Sequence, residues 1–161
     1  MSVASPASPH LTAQSFLAFD HGARRIGVAT GNTLTGNAQP LCTVAAEGDA
    51  RFEAIARLIA EWQPDALVVG VPFHPDGAPH ENTVRARRFA RQLQGRFRLT
   101  VHEVDERYST TEAASLGARD LDAASAAILL EQFLATVKLT AQESDAKDSA
   151  AKDSDARKAP P

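Results

Sequence analysis

The sequence predicts an α/β domain built on a mixed β-sheet. Two apolar runs, FLAFD (16–20) and IGVAT (26–30), are separated by five residues that include a glycine, which is typical of an antiparallel hairpin. A third apolar run at 40–44 follows, and helical and strand periodicities then alternate along the chain. A meander followed by alternating units indicates a sheet that is first antiparallel and then parallel, with helices packed on it.

The later elements follow from their periodicity. Residues 51–62 repeat apolar side chains at helical spacing and predict an amphipathic helix with Asp49 as its cap. ALVVGVP (66–72) is a continuous apolar run, as expected of a strand that is covered on both faces. The pattern further predicts a helix at 81–97, a strand at 98–106, a short helix at 109–117 and a final helix at 121–135.

The two ends of the chain do not have the composition of folded segments. Residues 1–14 mix Ser, Ala and Pro, and residues 141–161 contain no large apolar side chain. Neither end can bury enough surface to offset the entropy of ordering. We therefore expect disordered segments at 1–14 and 139–161 around a folded domain at 15–138.

The composition excludes several classes of protein. Cys42 is the single cysteine, so neither a disulfide framework nor a multi-cysteine metal site is possible within the chain. No apolar run approaches the roughly 18 residues of a membrane span. The first residues lack the pattern of a secretory signal, so we expect a cytoplasmic location.

Acidic residues occur where a sheet of this kind forms sites, at the carboxyl ends of strands. Asp20 ends the first strand, Asp105 and Glu106 end the last strand, and Asp122 lies in the first turn of the final helix. If that helix packs near the first strand, the carboxylates converge and repel one another, which requires a cation or a raised pKa. Oxygen ligands of this kind select Mg²⁺ or Mn²⁺, and pairs of such ions promote phosphodiester cleavage.

Each acidic residue also has a simpler interpretation, and spacing does not decide between the two. Asp20 can shape a turn through its side chain. Asp122 can cap the final helix or stabilise its dipole. The pair Asp105 and Glu106 can form a solvated corner with salt bridges.

Arginine supplies all the positive charge of residues 16–135. The net charge of the chain is -3, and six arginines lie between Arg85 and Arg98. Arg85, Arg88 and Arg91 are spaced to share a helix face that can follow a phosphate backbone, because guanidinium groups bind phosphate in bidentate fashion. The alternative is an ordinary solvated face.

Four segments, in this order, resemble the signature segments of the bacterial YqgF family: FDHGARRIGVAT, VGVPFHPDG, DERYSTTEA and LDAASAAILLEQFL. That family comprises pre-16S rRNA nucleases and Holliday-junction-resolvase-like proteins. The resemblance covers residues 16–135. It implies a ribonuclease H-like fold, with helices on both faces of the mixed sheet.

The resemblance also implies the site residues. The catalytic and metal-binding triad would be Asp20, Glu106 and Asp122, holding Mg²⁺ or Mn²⁺. Neighbouring residues on a strand face opposite ways, so only one of Asp105 and Glu106 should reach the metal, and the motif favours Glu106. Three further residues are suited by position and chemistry to contact phosphate, with helix capping as the alternative for the serine: Arg107, Ser109 and Thr110.

The resemblance implies a metal-dependent endonuclease. The first expectation is that it processes the 5′ end of precursor 16S rRNA in ribosome biogenesis, and the ribosome is then a candidate partner. Cleavage of branched DNA and non-catalytic binding of nucleic acid remain alternatives. The pattern D-x-G-x-x-x-x-G from Asp20 to Gly27 also resembles a phosphate loop of actin-like ATPases. Fifteen residues separate Glu106 from Asp122, fewer than is usual in the family.

Overall fold

The computed structural model describes residues 13–22, 24–72, 81–105 and 121–156, with side chains up to residue 138. The described residues form five strands and three helices, in this order: β1 (Ser15–His21), β2 (Ile26–Asn32), β3 (Ala38–Val44), α1 (Asp49–Trp62), β4 (Ala66–Val71), α2 (Glu81–Phe97), β5 (Thr100–Asp105) and α3 (Leu121–Ala156). The helix predicted at 109–117 lies outside these residues. The other predicted elements are confirmed, and apart from the end of α3 their bounds shift by at most two residues.

The five strands form one mixed sheet in the order β3-β2-β1-β4-β5. The first three strands pair in antiparallel fashion, and β4 pairs in parallel with both β1 and β5. This arrangement confirms the predicted α/β class. At its carboxyl end, β1 aligns Asp20 with Gly27 on β2 and with Gly70 on β4.

The helices cover both faces of the sheet, and β1 shows which residues point to which face. Leu17 and Phe19 belong to one core cluster together with aromatic and aliphatic residues of α1 and α2. Phe16 and Ala18 belong to another cluster, which contains residues of α3. Because side chains alternate along a strand, Asp20 belongs to the α3 face and the next residue, His21, to the face covered by α1 and α2.

The start of α1 differs from the prediction. Asp49 is the first helical residue rather than the cap, and Gly48 occupies the cap position with a φ of 60° and no side-chain capping bond. This positive φ is a conformation that glycine adopts without steric cost, which explains why the backbone turns there. The Asp49 carboxylate in the first turn still interacts favourably with the helix dipole.

The far end of α3 also differs from the prediction. The helix continues to Ala156, through a stretch that the sequence predicts to be disordered. Residues 141–156 include five Ala and two Lys among Asp and Ser residues, and the intrinsic helix propensity of Ala and Lys favours a helix without any need for a packed face. None of the helices in the described ranges, α3 included, is long and apolar enough to cross a membrane.

Deletion of residues 141–161 should leave the stability of the domain almost unchanged. Among the described side chains of α3, Leu134 is the last that belongs to a core cluster, where it packs with residues of β1 and β4. It lies well before the deleted stretch. We expect the melting temperature to change by less than about 2 °C, because surface changes away from the core alter stability by about 0.5 kcal/mol at most. A larger loss in differential scanning calorimetry would show that the distal part of α3 packs on the domain.

Candidate active site and the adjoining basic cavity

Asp20 lies at the carboxyl end of β1, on the α3 face of the sheet. The residues aligned with it on the two neighbouring strands, Gly27 and Gly70, both lack a side chain. Val68 on β4 belongs to the α3-side cluster, so Gly70, two residues later, has the same orientation. Neither neighbouring strand therefore places a side chain beside the carboxylate.

The first turn of α3 rests directly on β2 at Gly27. A Cβ atom added to Gly27 would lie 1.8 Å from the carbonyl oxygen of Asp122 and 2.8 Å from the backbone nitrogen of Ala123. Further along the helix, Ala126 and Ala127 pack on Ala29 of β2, so small side chains maintain the close approach. Gly27 is the strand partner of Asp20, so the backbone of Asp122 lies beside the residue that neighbours Asp20.

The contacts of β5 show to which face of the sheet Asp105 belongs. His102 contacts the rings of Phe16 and Phe133 on the α3 side, whereas Glu103 lies 3.8 Å from Arg87 of α2. By alternation, Asp105 belongs with Glu103 on the α2 face, opposite to Asp20.

Four residues of the sequence-predicted site lie outside the described residues, namely Glu106, Arg107, Ser109 and Thr110. Within the ranges that the structure describes, no three His, Cys, Asp or Glu side chains are grouped closely enough to hold a metal ion. Two of the predicted metal ligands, Asp20 and Asp122, are thus described, and the third is not.

The three arginines predicted to bind nucleic acid are all exposed on α2, on the other face of the sheet. Arg85 and Arg88 line a cavity of about 320 Å³ between α1 and α2, and Arg51 of α1 lines it as well. Arg91 is exposed on the same helix but does not line the cavity. Sequence reasoning missed Arg51, because no local pattern indicates that the start of α1 meets α2.

His21 also lines this cavity, directly after Asp20 in the chain. Its ring lies 4.8 Å from that of Phe89, centroid to centroid. Burial, followed by the positive charges of Arg51 and Arg85, lowers the pKa of His21 from 6.5 to about 4. The imidazole is therefore neutral at neutral pH, and the positive charge of the cavity comes from its arginines.

Comparison with known proteins assigns the chain to a family. A family model described as "RuvX: Holliday junction resolvase" matches residues 14–136. The chain belongs to the RuvX family. This membership confirms the resemblance carried by the four sequence segments, and it makes the chain a nuclease.

Curated relatives of this RuvX-family chain include two named "Putative pre-16S rRNA nuclease". The protein of Polaromonas sp. is 69% identical over 130 residues, which are 80% of this chain and 94% of the relative. The protein of Albidiferax ferrireducens is 69% identical over 124 residues, which are 77% of this chain and 80% of the relative. Matches of this extent span roughly four fifths of this chain.

A solved structure titled "T. thermophilus RuvC in complex with Holliday junction substrate" resembles the RuvX-family chain with a TM-score of 0.50. The two are 17% identical, and the match covers 77% of this chain and 96% of the other. At this identity the likeness concerns the fold alone. It confirms the ribonuclease H-like architecture expected from the sequence.

Gly27→Ala should destabilise the protein, because the added Cβ would overlap the carbonyl of Asp122 and force α3 away from the sheet. We expect a loss of about 1–3 kcal/mol in the free energy of unfolding, measured by urea denaturation. Gly95→Ala is the matched control, because a Cβ there meets nothing within 4 Å. This control should gain about 0.5–1 kcal/mol, as is usual for glycine in a helix interior. Equal effects of the two substitutions would contradict the close approach of α3.

Acid should destabilise the wild-type chain more than His21→Gln. The pKa of His21 is about 4 when folded and 6.5 when unfolded, so the unfolded chain takes up a proton that the folded chain does not. Above pH 6.5 the neutral His21 does not reduce the free energy of unfolding. As the pH falls from 6.5 towards 4, protonation of His21 in the unfolded chain lowers that free energy. Melting temperatures measured in EDTA from pH 7.5 to 4.5 should therefore fall less steeply for His21→Gln. Parallel curves would contradict burial of a neutral imidazole.

Proposed function

We propose that this RuvX-family nuclease is a metal-dependent endonuclease that hydrolyses phosphodiester bonds and that it processes the 5′ end of precursor 16S rRNA. The observation that carries the proposal is the contact of the first turn of α3 with Gly27, the strand neighbour of Asp20. The backbone of Asp122 thereby lies beside the strand neighbour of Asp20, although the two acids are about a hundred positions apart in the chain. This contact lies at the end of the sheet where α/β folds form their sites.

The residues at this end are suited to a divalent cation. Carboxylate oxygens are the ligands that Mg²⁺ and Mn²⁺ prefer, and the residues aligned with Asp20 on both neighbouring strands are glycines, which place no side chain beside its carboxylate. Asp20, Glu106 and Asp122 would hold the metal, which when bound stabilises negative charge during phosphodiester hydrolysis. Assigning the β5 acid to Glu106 is supported by the orientation of β5, because Asp105 belongs to the opposite face.

The chain's own polar groups would bind and orient the nucleic acid. The arginines of α2, Arg85, Arg88 and Arg91, can neutralise phosphates, and Arg107, Ser109 and Thr110 follow Glu106 closely enough in sequence to contact phosphates at the cleavage site. The hydroxyl of Thr83 donates a hydrogen bond to the carbonyl of Pro72. This bond ties the start of α2 to the end of β4 and so positions the arginine helix relative to the carboxyl ends of the strands.

The names of the relatives favour precursor rRNA as the substrate, and a substrate of that kind is consistent with a cytoplasmic enzyme and with association with the ribosome. Branched DNA is the second candidate substrate. It is favoured by the description of the family model. Paired cuts in a four-way junction would favour a symmetric dimer, so the two substrates make different demands on the quaternary structure.

Asp20→Asn and Asp122→Asn should each reduce cleavage by about 100-fold or more, because losing a metal ligand costs at least as much as losing a supporting group around it. Asp105→Asn is the matched control: it makes the same chemical change at the same end of the sheet but on the other face. Cleavage should be measured in Mg²⁺ and in Mn²⁺ on a transcript with the 5′ precursor of 16S rRNA and, in parallel, on a four-way DNA junction.

Binding in EDTA completes this test, because Asp20→Asn should still bind the transcript. Faster cleavage of the transcript than of the junction would support rRNA processing, and the reverse would support the second candidate. Wild-type rates in Asp20→Asn would assign the activity to a contaminant and leave a non-catalytic binding module. Equal losses in Asp105→Asn would contradict the assignment of Glu106.

A further inference from the structure

The cavity between α1 and α2 lies on the face of the sheet opposite to Asp20. Its floor is formed by the rings of Phe52 and Phe89. Its polar lining consists of side chains from β1, α1 and α2, namely His21, Arg51, Arg85, Arg88 and Gln92. No Asp or Glu lines the cavity within the described part of the chain. Three guanidinium groups from two helices therefore face a common space.

The fold supplies this cavity with little negative charge. Arg85 approaches Glu81 at 2.6 Å, but both side chains are at least half exposed, and such a pair contributes little. Arg88 has no ion pair within the described residues. The Nε of Arg51 donates a hydrogen bond to the carbonyl of Ala46 at 3.2 Å, which holds this side chain in place.

Two other arginines of α2 are paired with acidic residues outside the cavity. Arg87 lies 3.8 Å from Glu103, and Arg96 lies 3.6 Å from Asp49 and stacks over the ring of Phe52. The contrast shows that α2 does not simply carry a uniform solvated charge. Arg87 faces Glu103 of β5, whereas Arg85 and Arg88 line the cavity near the carboxyl end of β1.

We propose that this cavity binds a phosphate group of the nucleic-acid backbone outside the bond that is cut, with Arg51, Arg85 and Arg88 as donors. Guanidinium groups suit this ligand because they donate paired hydrogen bonds to phosphate oxygens and keep their charge at any working pH. The cavity volume of about 320 Å³ leaves room for a phosphate together with part of its sugar.

The position of the cavity explains how one strand could reach both faces of the sheet. His21 lines the cavity and follows Asp20 directly, and the two consecutive residues belong to opposite faces at the same end of β1. A strand that passes over this end of the sheet would contact both faces. The inference rests on the proposed function, since it takes the ligand to be the nucleic-acid substrate.

Arg51→Gln tests the cavity, and Arg57→Gln is its matched control, because Arg57 is exposed on the same helix but does not line the cavity. Binding of a fluorescein-labelled single-stranded RNA is measured by anisotropy in EDTA, where neither cleavage nor metal binding contributes. We expect Arg51→Gln to weaken binding about threefold to tenfold and to lower the salt slope by about 0.7, the value for one phosphate contact on a single strand. Equal affinities and slopes for the two variants would overturn the proposal.

A second pair of variants keeps every arginine and guards against misfolding of Arg51→Gln. Gln92→Glu introduces a carboxylate into the cavity, whereas Gln94→Glu introduces the same charge on an exposed position of α2 that does not line it. Only Gln92→Glu should weaken RNA binding, with the melting temperatures of both variants close to that of the wild type. Equal effects would attribute the loss to net charge and overturn the proposal.

Two sources could supply the phosphate group, namely the nucleic-acid backbone and a free nucleotide. Calorimetric titration with AMP and with inorganic phosphate distinguishes between them. Weak binding of both, together with loss of RNA affinity in Arg51→Gln and Gln92→Glu, supports a backbone subsite. Tight AMP binding that these variants abolish while RNA affinity stays constant would overturn it in favour of a free nucleotide. Because all these measurements are made without cleavage, their outcome is independent of whether Asp20→Asn remains active.

Discussion

The candidate site depends on the contact between the first turn of α3 and Gly27. Only a residue without a side chain lets the backbone of Asp122 approach β2 this closely. The sequence provides for this contact on both partners, with glycine on the strand and a run of alanines on the helix. If the helix were displaced by even one methyl group, Asp122 would move away from the strand that pairs with Asp20.

The sheet separates two kinds of chemistry onto its two faces. Asp20 and the first turn of α3 lie on one face, and the cavity lined by arginines of α1 and α2 lies on the other. The consecutive residues Asp20 and His21 belong to these opposite faces at the same end of β1.

Local sequence patterns predicted most of the fold because each element has its own periodicity and turn residues. The hairpin around Gly22 is an example. The backbone nitrogen of Gly22 donates a hydrogen bond to the carbonyl of Arg25 at 2.9 Å, within the five-residue connection between the first two strands that the sequence pattern predicts. Asp49 was misassigned as a cap because an acidic residue before an apolar helix has the same sequence signature at the cap as in the first turn. The helical continuation of α3 was missed because burial and helix propensity give opposite indications for a polar, alanine-rich stretch.

The candidate site was only partly predictable, since convergence is a property of tertiary packing. Asp20 and Asp122 could be proposed from strand ends and helix starts, and the family resemblance supplied their connection. Arg51 could not be found this way, because its partners lie on a helix more than thirty residues away and no spacing rule links them. The orientation of Asp105 likewise became clear only when Glu103 was seen to approach Arg87 of α2.

The central claim is that Asp20 and Asp122 share a divalent cation beside Gly27. Anomalous diffraction from crystals soaked in Mn²⁺ tests it most directly, because the metal position is observed independently of the protein atoms. The account predicts an anomalous peak about 2–2.2 Å from a carboxylate oxygen of each residue. A strong peak elsewhere on the domain, or a fully occupied ion held by Asp20 while the carboxylate of Asp122 points away from it, would contradict the account.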